Sequence, residues 1–260
     1  PAFGLFKVRR SAEHIALCFP EKTPEERAAL LRANYEHLGI LFFEYLHFFS
    51  PIPGHYRRYA AKISRLDGLE NWRRAHDKGK GVIFFSSHLG FWEMSAAAGG
   101  LAGMAPTVVT TVLKPKWLDA KITASRRSCR ITAAYHPGSR PTVMRVLRKG
   151  GTVAFMNDQY APPPMGSPVV FFGASVDTLT VVGPLAKRTG PAVVPVTVHR
   201  DPDGTQVVVV EPEFDLSSAG GDATASTQLI ASRVEAWVRA HPEQWLWIHR
   251  RFKHAAWPVP

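Results

Sequence analysis

Cysteine is scarce in this chain. Two, Cys18 and Cys129, occur in 260 residues, which makes neither a disulfide framework nor a zinc pattern. Both are expected as small buried side chains in a reducing compartment. Long apolar runs are missing as well: none reaches the ~18 residues that a membrane-spanning helix requires. Acidic residues are outnumbered. Thirty-two Lys and Arg face 21 Asp and Glu, a net charge of +11, so the expected partners are anionic: nucleic acid, an anionic membrane surface or an acidic protein. Nucleic acid is set aside, because no helix-turn-helix, zinc-finger or aromatic RNA-binding strand motif is present. The KGKG run at 78–81 precedes a strand instead of following one, which makes it a turn and not a phosphate loop. GASVD, starting at Gly173, lacks the second glycine of a nucleophile elbow. His88 has no second histidine at ligand spacing, so no metal is expected.

What remains is an alternation of helical and extended patterns, which sets the class as α/β. Thr23-Pro24 with Glu25 and Glu26 behind it is a helix start. The helix that follows runs into GILFFEYLHFF, Gly39 to Phe49, apolar on more than one face, and Pro51-Ile52-Pro53-Gly54 ends it. Aromatics there, with Arg57 and Arg58 just beyond, suit a membrane interface; a fully buried core helix is the alternative. Strands are expected near Ile63–Leu66, Val82–Phe85, Thr107–Val112, Arg130–Tyr135, Val153–Met156, Ala192–Val198 and Val207–Val210. Helices are expected over Gly68–Asp77, Met94–Ala102, Trp117–Ser128, Ser139–Lys149, Leu179–Thr189 and Thr224–Arg239. Ala161–Pro168, rich in proline, reads as a surface loop. No repeat, low-complexity tract or linker divides the chain, so residues 1–260 are expected as one domain: a helical, membrane-facing part over 1–60 and an α/β core over 61–260.

The stretch GVIFFSSHLGFWE, Gly81 to Glu93, carries the chemistry. Its apolar run is a buried strand, so His88 falls where a strand ends and a helix begins, the edge at which α/β folds place their sites. On a continuous helix His88 and Glu93 point ~140° apart; a turn at Leu89-Gly90 brings them together. Glu93 then accepts a hydrogen bond from one imidazole nitrogen and leaves the other basic. The alternative is a helix-start glutamate complementing the helix dipole beside a satisfied histidine.

SSHLGFWE resembles the His-x4-Asp/Glu motif (HX4E here) of the bacterial lipid A biosynthesis acyltransferases, the lauroyl/myristoyl transferase family, to which mycobacterial phosphatidylinositol mannoside acyltransferases are related. FPEKTPEER (Phe19 to Arg27), NDQ (Asn157 to Gln159) followed by VVFFG and PLAKRTGPAVVPV, and PEQWLWIHRRFK (Pro242 to Lys253) resemble further stretches of that family in the same order. The resemblance implies a glycerolphosphate-acyltransferase-like fold, with a mixed central sheet flanked by helices. It implies transfer of a fatty acyl chain from an acyl carrier protein or coenzyme A thioester to a hydroxyl of a lipid A precursor or related glycolipid, without a cofactor. His88 and Glu93 would be catalytic, with His88 the general base. Arg126, Asp158 and Gln159 would bind substrate: Arg126 a phosphate, Asp158 and Gln159 sugar hydroxyls, or they would orient Arg126. The implied location is the cytoplasmic face of the bacterial inner membrane, with an N-terminal anchor ahead of Pro1. Two alternatives stand beside it: the same chemistry on another acceptor, such as a phosphatidylinositol mannoside or an aminolipid, and a basic non-enzymatic membrane-binding protein.

Overall fold

A computed structural model describes residues 2–257; Pro1, and the anchor expected ahead of it, lie outside the described residues. Helix α1 (Ala2–Cys18) and α2 (Pro24–Tyr45) open the chain. The expected start of α2 is a full capping box: the Thr23 hydroxyl accepts from the Glu26 amide at 3.2 Å, and the Glu26 carboxylate accepts from the Thr23 amide at 2.7 Å. A 3-10 turn at Leu46–Phe49 leads to α3 (His55–Ile63). There follow β1 (Ser64–Asp67), α4 (Leu69–His76), β2 (Val82–Ser86), α5 (Trp92–Leu101), β3 (Thr107–Thr111), α6 (Lys116–Ser128), β4 (Thr132–His136), α7 (Arg140–Arg148) and β5 (Thr152–Met156). The chain closes with β6 (Gly166–Phe171), β7 (Ala174–Leu179), α8 (Val182–Thr189), β8 (Ala192–Arg200), β9 (Gln206–Val210) and α9 (Ala223–Ala240).

The main sheet has seven strands in the order β1-β9-β8-β2-β5-β3-β4. Its paired neighbours are parallel except β8 with β9, so the α/β class and the mixed sheet with flanking helices are as expected. Every residue of β2 is buried, as a strand covered on both faces must be. One apolar core lies against α7, α8 and α9 and includes Ile83, Phe85, Val153 and Phe155. The other lies against α3 to α6 and includes Val82, Phe84, Val194 and Val208. Alternate side chains of the same strands feed the two layers. Cys18 and Cys129 are buried in them as free thiols.

Two expectations need correction. Gly166 to Pro168 are not loop, and Leu179 does not begin a helix. They belong to a separate antiparallel hairpin, β6 with β7, in which Pro168 pairs with Asp177 and the turn at Phe172-Gly173 has positive φ at both residues. Pro168 costs this ladder little, because a two-stranded edge has room for a residue without an N–H. The apolar stretch 39–49 is not a fully buried core helix: Leu41 and Phe48 are buried, while Ile40, Phe42, Phe43 and Leu46 are exposed. Among the described residues no helix is long and apolar enough to cross a membrane.

Candidate active site

The register of β2 on β5 builds the site. Ser86 pairs with Met156, so His88 and Asp158, each two residues further on, leave the sheet side by side. The Asp158 carboxylate takes three donors. It accepts from the His88 backbone N–H at 2.7 Å and from the Trp245 indole N–H at 2.9 Å, and its other oxygen lies 2.8 Å from His88 Nδ1. Burial opposes ionisation of this carboxyl, yet the His88 ring and the donated hydrogen bonds outweigh it and hold Asp158 below the usual carboxylate range. An ionised Asp158 fixes the tautomer: the proton sits on Nδ1 and Nε2 is left basic. The Gln159 amide nitrogen lies 3.2 Å from Nε2, and the Trp92 ring packs edge-on against the imidazole at 5.1 Å.

Glu93 is therefore not the partner of the imidazole. It sits in the first turn of α5, as expected, but its carboxylate grips Arg126 of α6 through two parallel hydrogen bonds, Nε to Oε2 at 3.0 Å and Nη2 to Oε1 at 2.6 Å. This pair is buried, with side-chain exposures of 9% for Glu93 and 12% for Arg126. The physical reason is strand adjacency. A strand-end carboxylate one strand away reaches the ring directly, whereas α5 turns Glu93 toward α6. Asp158 thus serves the histidine and Glu93 serves the arginine, the reverse of the pairing expected from spacing.

The turn between His88 and α5 depends on Gly90. Its φ is +55°, and a Cβ there would lie 2.7 Å from the Val198 carbonyl oxygen. Leu89 bridges to Trp245 in the C-terminal segment, whose Leu246 N–H donates to the His88 carbonyl. Arg251, of the same segment, is 1% exposed and donates to the carbonyls of Gln159 and Asp177 and to the Thr178 hydroxyl. Its buried position makes Arg251 a packing residue that steadies the Gln159 loop. Ser87 is buried beside His88 and does not line the cavity described next, which is no place for a nucleophile.

His88, Gln159, Glu93 and Arg126 all line one cavity of about 900 Å³, at the upper end of the range for small-molecule sites. Its walls are chiefly apolar and include Phe84, Val108, Ile122, Ala154 and Met156; Ser86 also belongs to the lining, with its hydroxyl oxygen buried and without a hydrogen-bond partner. Trp245 is the residue that sequence reasoning missed here; its signal was an indole N–H donor inside the WLWIHRRFK string.

Residues 3–254 match the family model described as bacterial lipid A biosynthesis acyltransferase. The chain belongs to that family. Among its relatives in this family are the lipid A biosynthesis lauroyltransferase of Escherichia coli K12, 26% identical over 267 aligned positions that take in 100% of this chain and 84% of the relative, and the palmitoleoyltransferase of the same strain, 26% identical over 93% of this chain and 77% of the relative. The phosphatidylinositol mannoside acyltransferase of Mycolicibacterium smegmatis is 29% identical over 73% of this chain and 67% of its own length. The protein is accordingly an O-acyltransferase.

Proposed function

We propose that this acyltransferase moves a fatty acyl chain from an acyl carrier protein or coenzyme A thioester to a hydroxyl of a lipid A precursor, with His88 as the general base and Asp158 as the group that orients it. The observation that carries this reading is the His88–Asp158 hydrogen bond at the wall of a large apolar cavity. The acceptor hydroxyl takes the place of the Gln159 amide at Nε2 and gives its proton to that nitrogen. Its oxygen forms the new C–O bond at the thioester carbonyl. The negative charge that develops on the carbonyl oxygen meets the first-turn N–H groups of α5, which no side chain caps at Phe91. The tetrahedral carbon then collapses, the C–S bond breaks, and the imidazolium returns its proton to the departing sulfur. Asp158 stabilises that cation while it exists. Glu93 and Arg126 form a rigid wall beside the reacting centre.

The exposed side chains of Ile40, Phe42, Phe43 and Leu46, with Trp117 packed on Phe49 at 6.1 Å, present apolar surface next to Tyr45, which lines the cavity. Set against the cytoplasmic face of an inner membrane, this surface would let an amphiphile pass sideways into the site. The +11 charge attracts both an anionic leaflet and an acidic carrier protein. Mass spectrometry of lipids from cells expressing the intact chain, His88→Ala or Phe42→Glu/Phe43→Glu tests the whole reading. The intact chain yields an added acyl species on a lipid A precursor, His88→Ala yields none, and the double glutamate yields less although it still turns over detergent-dispersed lipid. An added acyl group on a different lipid, or an undiminished product with His88→Ala, overturns the reading.

A further inference from the structure

The cavity continues past the catalytic histidine to the other face of the sheet. Phe84, Val108, Ile122 and Ala154 belong to the core on the α5–α6 side, whereas Val109, Val143, Phe155 and Leu185 belong to the core on the α7–α8 side, and all eight line the same space. It therefore has two lobes that meet over the strand ends. The charged side chains of the first lobe are Glu93 and Arg126, which neutralise each other. The rim of the second lobe carries His136 at the end of β4, Arg140 at the start of α7 and Arg188 in the last turn of α8.

Arg140 and Arg188 are exposed, and neither makes a hydrogen bond or ion pair among the described residues. Glu93 is the one carboxylate on the cavity wall among the described residues, and Arg126 already holds it. The second lobe thus combines an apolar floor with two uncompensated guanidinium groups. In the order β2-β5-β3-β4, three strand spacings separate His88 from His136, roughly 14 Å across the sheet at about 4.8 Å each.

We infer that Arg140 and Arg188 form a phosphate-ester subsite, separate from the catalytic end, that grips a phosphoryl group of a substrate while the floor of the second lobe receives hydrocarbon. This rests on the acyl-transfer reading above and adds to it what holds the substrate in place. Arg126, the arginine for which the family resemblance implied a phosphate, is occupied by Glu93, and the free guanidinium forks on the cavity wall that match phosphate geometry are these two among the described residues. A phosphoryl group held at the rim of the second lobe would fix which hydroxyl of a large acceptor meets the base, by anchoring the molecule away from Nε2.

The test is equilibrium binding without donor, using the full chain and its Arg140→Gln/Arg188→Gln variant. The probes are a phosphorylated lipid A precursor in neutral detergent micelles, the same lipid stripped of its phosphates, and acyl-coenzyme A. At least tenfold weaker binding of the phosphorylated lipid, with the stripped lipid unaffected, establishes the subsite and assigns it to the acceptor. A loss confined to acyl-coenzyme A establishes the subsite and assigns it to the donor's phosphates. Equal loss for the phosphorylated and stripped lipids, or no loss for any probe, overturns it. Arg140→Lys/Arg188→Lys should keep part of the discrimination, since charge remains when the fork is gone. Because no turnover is read, a failure of the subsite is distinct from a failure of the acyl-transfer reading, which would appear as absent product with the intact chain.

Discussion

Asp158 and Glu93 each hold one nitrogen-bearing side chain on the wall of the same cavity, and they do so in opposite ways. Asp158 leaves the end of a strand, is 2% exposed, and divides its two oxygens among an imidazole, a backbone N–H and an indole. Glu93 stands in the first turn of a helix and spends both oxygens on one guanidinium. The first arrangement leaves a ring nitrogen facing the cavity; the second ties both partners up in a buried ion pair. The carboxylate that tunes a base is the one whose hydrogen bonds come from several directions and whose partner keeps a lone pair turned to the cavity. The carboxylate that locks a cation is satisfied in two parallel bonds and becomes part of the wall.

The largest effect expected from that difference falls on Asp158→Asn. The amide can present an N–H to Nδ1 and so favours the wrong tautomer; turnover should fall by about 10²–10⁴-fold, approaching the loss in His88→Ala, with donor KM little changed. Steady-state kinetics with acyl-coenzyme A or acyl carrier protein measures this, and an Asp158→Asn enzyme with near-normal turnover would break the comparison. Next comes Glu93→Ala, which strands a buried guanidinium. It should lower unfolding free energy by roughly 3–5 kcal/mol in a denaturant titration, and Glu93→Leu/Arg126→Met should regain most of it. If Glu93→Ala instead cuts turnover like Asp158→Asn while leaving stability intact, the two carboxylates share one task. The smallest effect is that of Arg126→Lys, which keeps the charge and loses the second hydrogen bond. A cost of about 1 kcal/mol in the same titration is expected, and a cost equal to that of Glu93→Ala would mean that geometry outweighs charge at this pair.

Most of the fold was legible because its strands are short apolar runs bounded by glycine and proline. Val82–Phe85 and Val153–Met156 were read almost to the residue against β2 and β5. The hairpin was not legible: three consecutive prolines and Pro168 masked β6, whose pairing with β7 depends on packing against α9 that no local pattern announces. The site was half legible. His88, Arg126, Asp158 and Gln159 all reach one place, but who bonds whom is set by strand order. A single sequence does not reveal that β5 lies next to β2, so proximity along the chain favoured Glu93 over a residue seventy positions away. Long-range pairs share this blindness. The Glu44 carboxylate, buried with Arg200 and also accepting from Tyr59 and Gln206, joins α2 to the far edge of the sheet and left no trace in spacing. Arg140 and Arg188 carried no expectation from the sequence; only the cavity gives them a shared wall.

Trp245 gives the molecule a sense of time. His88 and Asp158 are both translated well before it, and the indole that completes the Asp158 shell and the peptide that braces the His88 carbonyl follow later in the chain. A nascent chain folding from its amino end holds base and acid without their clasp. The histidine–aspartate pair is thus in place before the two contacts that brace it.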